Sequence, residues 1–536
     1  MSVLSFLRRL WNGETEGVAT AAAIVSIASF ASRLLGVVRD RLLATNFGAG
    51  LELDAYYAAF RLPDLLYNLL ILGALSAGFI PLFTEIRERK TLQEALRFTG
   101  QALSVIGTAL IVACAIGMIV APTIVPWLAP GFGPEKQALT ATLTRIMFLS
   151  PLFLGISAIM GGVLQSTKRF FAFAFAPIFY NVGIILGIVL LTPWLGLVGL
   201  AWGVVLGAFA HGLVQYVAVR PIGSFHLSLP SLSSEPIRRM LKLMVPRTAG
   251  LAVAQVNLVI ILFFASTLGE GSVSIFTLAG NLQSFPLGLI GVSFAIAAFP
   301  ALSQAIGANR EDVFQQTLHQ AARRILYFIL PLCILFILLR AQIVRVVLGD
   351  GRFDWNDTQL TLEVFALLTL ALPAQALSQL LTRAFYALQE AWRPFLIACA
   401  SEVVTIFIAW LSYQSSGVHG LAWAIVGGSI VNSVLLLVVL LRRMKHRIWS
   451  RSLLRFVVTM IFALGIQAFV TFAVRHAIGF WLDPMTHGWM ILLQGAFAGA
   501  LGGVAFFLIT AQFGLPEAEL VQVLKKRLIS KGSSKM

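Results

Sequence analysis

The first apolar segment carries an unusual set of ionisable groups, Ser32-Arg33-Leu34-Leu35-Gly36-Val37-Val38-Arg39-Asp40-Arg41. Arg33, Gly36 and Asp40 are spaced i, i+3, i+7 and share one helix face. Arg39 lies less than a turn before Asp40. Asp54 and Arg61 follow at the start of the next segment, with Glu52 just ahead. An ionisable side chain at the centre of a bilayer costs about 2.5–3.5 kcal/mol on insertion scales, so it needs a partner, a water-filled cavity or a ligand. Guanidinium suits phosphate because its planar fork can bond two oxygens at once. The set therefore reads as a cationic wall that binds an anionic head group. The structural alternative is that Arg33 pairs with Asp40 to lock two helices while Arg39 and Arg41 reach for an interface. Further on, Arg247 stands to Gly250 as Arg33 stands to Gly36, which makes Arg247 a candidate counterpart in the second half. Its alternative is a cation near a span end.

Other polar residues fall inside apolar runs: Asn181, Gln255, Asn257, Asn281, Glu402 and Asn432. Asn281 joins the substrate-binding candidates. Glu402 is the clear carboxylate deep in the second half, and with Asn257 it is the candidate for ligating Na⁺ or carrying H⁺. The competing reading of Glu402 is a protonated packing residue. No catalytic constellation is present: there is no Walker A, H-E-x-x-H, D-x-D or nucleophile elbow, and the seven histidines lack ligand spacing. Cys114, Cys333 and Cys399 lie in apolar runs without a C-x-x-C, so neither a metal site nor a disulfide framework is expected. No cofactor and no enzymatic activity follow from such a chain.

These groups have to be held by membrane helices. Of 536 residues, 58% are hydrophobic and only 12% charged, too little charge to cover a soluble protein of this size. Apolar runs of about 20 residues recur from end to end, each able to cross a core of about 30 Å. The net charge of +16 clusters between runs without aromatic readout motifs, which speaks against nucleic acid and for topology signals facing anionic lipid. Alternate loops carry Arg87, Arg89 and Lys90, then Lys168 and Arg169, then Arg220, Arg238, Arg239 and Lys242, and later Arg442 and Arg443; 45–53 and 413–417 carry no Lys or Arg. The pattern predicts about fourteen spans with both termini in the cytoplasm. The tail 515–529 has an apolar stripe of Leu520, Leu524 and Leu528, and is expected on the membrane surface.

An internal repeat organises the spans. Gly196-Leu197-Val198-Gly199-Leu200-Ala201-Trp202 recurs as Gly417-Val418-His419-Gly420-Leu421-Ala422-Trp423, 221 residues later; Pro151 recurs as Pro373, and Asn181 aligns with Glu402. Six spans separate the copies, so the repeats are parallel. The expectation is an all-α polytopic membrane protein: a six-helix lobe at 1–220, a second at 221–445, and two added helices with an amphipathic tail at 446–536.

The same residues resemble a known family. Ser32 to Asp40, then Phe47-Gly48-Ala49-Gly50, Asp54-Ala55, Phe60-Arg61-Leu62-Pro63-Asp64-Leu65-Leu66, Gly73-Ala74, Phe79-Ile80-Pro81, Phe285-Pro286 and Arg383 to Gln389 are similar to the signatures of the MurJ/MviN lipid II flippases. The resemblance runs over essentially the whole chain. It implies the fold of the multidrug/oligosaccharidyl-lipid/polysaccharide exporter superfamily in a bacterial inner membrane. It also implies alternating access around a basic cavity that holds the pyrophosphate-sugar head group of undecaprenyl-linked muropeptide, lipid II, with cell-wall synthesis proteins as partners. Arg33, Arg39, Asp40 and Asp54 match family positions, and Arg61 keeps a basic residue. Where the family often has Arg and Glu in span two, this chain has Tyr67-Asn68 and Leu72; where it has Asp-Arg in span eight, this chain has Gly280-Asn281. A flippase for another lipid-linked polysaccharide repeat unit is the rival within the superfamily. A membrane glycosyltransferase using the same lipid is the rival from another class.

Overall fold

The computed structural model describes residues 18–72, 78–225, 227–444, 451–481 and 488–519. Within them the chain forms helices and short connections, because a backbone crossing lipid must satisfy its own hydrogen bonds. Nine of the described helices are long and apolar enough to cross a membrane, or ten if the pair Trp355–Leu370 and Leu372–Ala387, bent by 40°, is one span. The helix Trp392–Met444 has 53 residues, about 80 Å at 1.5 Å per residue, far more than one crossing needs. Gly417, at φ 54° and ψ −135°, breaks it into two rods.

The chain divides into two compact units, 1–274 and 275–536. The first unit contains α1 (Val18–Phe47), α2 (Leu51–Tyr67), α3 (Ile80–Arg89), α4 (Leu92–Leu128), α5 (Pro134–Met147), α6 (Leu149–Ser166), α7 (Phe170–Leu186), α8 (Leu197–Val219) and α9 (Glu235–Ser266). The sequence-based division at 220 differs: α9 packs with the first unit. Thr248 Oγ1 on α9 donates to Leu69 O at 3.2 Å, and Ser234 Oγ donates to Gln101 Oε1 at 3.0 Å. Leu69 belongs to a π-helical turn, Asn68–Leu72, that continues α2. Phe79, Phe83, Phe98, Ile159 and Val163 form the unit's apolar core, with Phe79 stacked on Phe98.

The second unit comprises the body of α10 (Ser272–Pro286), α11 (Ser293–Gly307), α12 (Glu311–Leu338), α13 (Arg340–Val347), α14 (Trp355–Leu370), α15 (Leu372–Ala387), α16 (Trp392–Met444), α17 (Arg451–Trp481) and α18 (Gly488–Gln512). The C-terminal pair is no separate body. Gln467 Nε2 on α17 donates to Pro331 O on α12 at 3.0 Å, and Tyr327 and Thr510 share a hydroxyl bond of 2.9 Å. The start of the tail is docked too: Leu515 and Ala518 are buried, and Glu517 pairs with Arg323 at 2.7 Å. Leu520, Leu524 and Leu528 lie outside the described residues.

The repeat is visible in the backbone. Gly196 (φ 57°, ψ −145°) and Gly417 adopt the same conformation, one open essentially to glycine alone. Three residues on, Gly199 and Gly420 bring their backbones against the carbonyls of Leu191 and Ser412, so close that a Cβ would collide. Lys168 (φ 59°) and Gln389 (φ 60°) take the left-handed conformation after α6 and α15. The next residues close identical loops: Arg169 N donates to Leu164 O at 2.8 Å, and Glu390 N to Phe385 O at 3.0 Å. Side chains repeat as well. Ser157 Oγ meets His211 Nδ1 at 2.7 Å in the first unit, and Asn432 Nδ2 donates to Ser378 Oγ at 3.2 Å, 221 residues later. An offset of 219–222 carries Arg33 onto 252–255, so Arg247 is out of register as its counterpart. The Arg247 side chain lies outside the described residues.

Candidate functional site

The α1 motif is built on a continuous 30-residue helix. Asp40 is buried, Arg39 half-buried, and Arg33 and Arg41 exposed. Asp40 pairs with Arg39, not with Arg33 as the structural alternative had it: Arg39 Nε and Nη2 both donate to Asp40 Oδ1, at 3.0 and 2.8 Å. The third direction of the guanidinium is used by α7, where Asn181 Oδ1 accepts from Nη1 at 3.2 Å. The amide of Asn181 reaches back to α1, donating to Ser32 O and Ser32 Oγ at 3.3 Å, and to Pro177 O at 3.2 Å. Asn181 is therefore the hinge pin between α1 and α7. Gly36 faces it, with the Asn181 amide oxygen at ordinary contact distance, 4.0 Å, from where a Cβ would stand.

Around this pair the first unit gathers further polar groups from α2 and α7. Arg39 and Asp40 lie in the fields of Tyr56 and Tyr57, and Arg39 and Arg61 in that of Asp64. Tyr180 lies in the fields of Arg39, Asp64, Tyr56 and Tyr67. The tyrosines pack with their neighbours, Tyr56 edge-on to Phe60 with centroids 5.0 Å apart. The set Arg39, Asp40, Arg61 and Asp64 sums to zero formal charge. Sequence reading placed Arg39, Asp40 and Arg61 in the site and the structure brings them together. It missed Tyr56, Tyr57, Asp64, Tyr67 and Tyr180. Arg61 and Asp64 are i, i+3 neighbours on α2, a signal that was available.

Asp54 does something else. Its Oδ2 accepts from Lys136 Nζ at 2.8 Å and from Gly271 N at 2.9 Å; its Oδ1 accepts from Ser274 N at 2.8 Å and Ser274 Oγ at 2.6 Å. Asp54 and Lys136 are almost fully buried, at 1% and 8% side-chain exposure. The carboxylate thus caps the N-terminus of α10, where the helix dipole favours negative charge, and ties it to α2 and α5. Gly131 N donates to Ser266 Oγ at 3.4 Å beside it. Four donors occupy Asp54, and the arrangement is a clamp rather than a free ligand group. Lys136 was not foreseen.

Asn257 is half-buried on α9 in the first unit; Asn281 and Glu402 are half-buried on α10 and α16 in the second. A cavity of about 850 Å³ between 91–101 and 222–228 contains none of these residues. Among the described residues no three His, Cys, Asp or Glu side chains come together as a metal site would need.

Comparison with known proteins gives the family. The family profile described as lipid II flippase MurJ matches residues 43–483. The probable lipid II flippase MurJ of Rhizobium tropici is 29% identical over 516 residues, covering 93% of this chain and 95% of that protein. The lipid II flippase MurJ of Burkholderia cenocepacia is 30% identical over 431 residues, 78% of this chain and 84% of its own. Among solved structures, a lipid II flippase MurJ in an inward closed conformation superposes with a TM-score of 0.75 at 23% identity, covering 92% of this chain and 98% of its own. An inward-facing MATE family transporter of the MOP superfamily gives 0.67 at 16% identity, over 77% and 94%. With the profile matched across most of its length, the chain belongs to the MurJ lipid II flippase family.

Proposed function

We propose that this protein moves lipid II from the inner to the outer leaflet of a bacterial inner membrane by alternating access. The observation that carries the reading is the half-buried Arg39 guanidinium, held on Asp40 and Asn181 inside a span and in the fields of Tyr56 and Tyr57. A guanidinium kept on a removable counter-charge can exchange that partner for a pyrophosphate oxygen without ever being stranded in a dry interior. Arg61 would act beside it, the tyrosine hydroxyls would donate to sugar or phosphate oxygens, and the exposed Arg33 would supply the net positive charge that draws the head group in.

The Asp54 clamp fits the same cycle. It lies at the ends of α2, α5 and α10 away from the basic loops, the outer end if both termini are cytoplasmic. In the first unit Trp127 and Trp194 are exposed near helix ends that face away from the basic loops, as an aromatic belt would be. Release of Asp54 from Gly271 and Ser274 would free the N-terminus of α10, and its re-engagement would hold it. The transfer makes and breaks no bond. Membrane potential or an ion gradient would drive it, with Na⁺ or H⁺ taken up through Glu402 and Asn257.

Depletion of the protein in its host tests the function. Lipid II should accumulate in the cytoplasmic leaflet, and accumulation of a different lipid-linked repeat unit would transfer the reading to the rival substrate. Single cysteines at Ser415 and Ser533 test the orientation: an impermeant thiol reagent added outside should label the first and spare the second.

A further inference from the structure

The second unit carries a pair of arginines that the α1 site does not use. At the C-terminus of α12, Arg340 Nη1 donates to Ile337 O at 2.8 Å and Arg475 Nη1, from α17, donates to Leu338 O at 2.7 Å. The two side chains cap adjacent carbonyls and lie in each other's field. Both are half-buried. A glutamine relay fixes them: Gln342 Nε2 donates to Gln494 Oε1 at 3.0 Å, and Gln494 Nε2 donates to Arg475 O at 2.8 Å. Arg475 also lies over the ring of Phe472, 5.6 Å from its centroid. Among the described residues neither arginine makes an ion pair with a carboxylate; Asp483, the next acidic residue along the chain, lies outside them.

Capping does not account for two cations. A helix C-terminus presents about half a negative charge, and α13 starts at Arg340 itself, so its positive end falls at the same junction. The two helix ends offset each other and leave a surplus of about two positive charges. Each guanidinium has spent one N–H on a carbonyl and keeps four donors. The position suits a lipid head group. α12 has 28 residues, about 42 Å, longer than a hydrocarbon core of about 30 Å, and its C-terminal end leads through α13 into the polar connection 349–354, which suits the head-group layer.

We propose that Arg340 and Arg475 form a second anion site that binds the phosphate or pyrophosphate of a lipid head group at the outer end of the second unit. The outer placement rests on the orientation given above; the site itself does not. For a transported lipid it would be a holding point after release. For a bulk anionic phospholipid it would be a fixed annular site.

The full chain in phosphatidylcholine nanodiscs, carrying Arg39→Gln to weaken the α1 site, is given undecaprenyl pyrophosphate or phosphatidylglycerol, and bound lipid is counted by native mass spectrometry. Changing Arg340→Gln with Arg475→Gln should weaken retention about tenfold. Ala341→Glu should do the same while leaving both caps in place, since Ala341 is exposed beside Arg340 and its replacement adds only a competing carboxylate. Loss restricted to undecaprenyl pyrophosphate supports the site and assigns it to the transported lipid; equal loss of both lipids supports it and assigns it to phosphate in general. Unchanged retention of both lipids by Ala341→Glu, with melting temperature preserved, overturns the proposal and leaves the arginines as caps. A background that already retains neither lipid overturns it as well. The readout is equilibrium binding, so failure of the flippase reading, which is a transport measurement, stays distinguishable.

Discussion

Arg39 and Asp40 are neighbours in sequence and partners in space: two guanidinium nitrogens converge on the single oxygen Oδ1. Removing one member of a buried pair strands the other and costs about 3–5 kcal/mol, whereas removing both is far milder. Asp40→Ala should therefore lower membrane abundance or melting temperature, and Arg39→Ala with Asp40→Ala should restore it. Flipping should stay absent in the double variant if Arg39 meets substrate. Restored complementation would reduce the pair to a helix lock.

The Asp54 clamp makes a prediction about stability first. Lys136→Met leaves a buried carboxylate without its cation, a loss of about 3–5 kcal/mol, read as a large fall in melting temperature in detergent. Lys136→Met with Asp54→Asn should recover part of it, because no buried charge is left alone and the Asn amide oxygen still accepts from Ser274. Recovery of stability without recovery of growth would show that the clamp also works in the transport cycle; a single Lys136→Met of parental stability would contradict the geometry.

The repeat turns predict equal sensitivity in the two halves. Gly196→Ala and Gly417→Ala each force a side chain into a conformation that costs of order 1–3 kcal/mol. Both should reduce thermal stability by similar amounts. Gly269→Ala, where a Cβ meets open space, should be near neutral in the same assay.

His211 stands where the second repeat has Asn432. A bond that serves packing of α6 on α8 needs a polar partner for Ser157, not a proton. His211→Asn should keep activity and His211→Leu should lose stability by about 0.5–1.5 kcal/mol, the worth of one hydrogen bond, since Ser157 Oγ can still donate to the carbonyl of residue 211. Loss of transport in a stable His211→Asn variant would point to proton handling instead.

The membrane class, the parallel repeat and the α1 motif were legible because hydrophobic period, loop charge and a nearly constant offset are properties of sequence alone. The repeat signal was strongest where glycine is obligatory, at Gly196 and Gly417. Partner choice was not legible. Arg33 and Asp40 share a face, yet Arg39 takes Asp40, because Asn181 on a distant helix fixes the third edge of its guanidinium. Asp54 looked like a ligand group since its cation, Lys136, is 82 residues away. The grouping of α9 with the first unit was hidden for the same reason: a repeat boundary records duplication, whereas a compact unit records packing.

The central claim is that Arg39 exchanges Asp40 for the pyrophosphate of lipid II. The most direct measurement is the leaflet distribution of lipid II in cells whose own flippase is depleted and which express Arg39→Lys at parental abundance. Lys keeps the charge and can hold Asp40, but it lacks the fork. The account predicts that lipid II stays in the inner leaflet and growth fails, while Asp40 remains neutralised and the protein melts near the parental temperature. Normal outer-leaflet lipid II in Arg39→Lys and in Arg39→Ala with Asp40→Ala would contradict it.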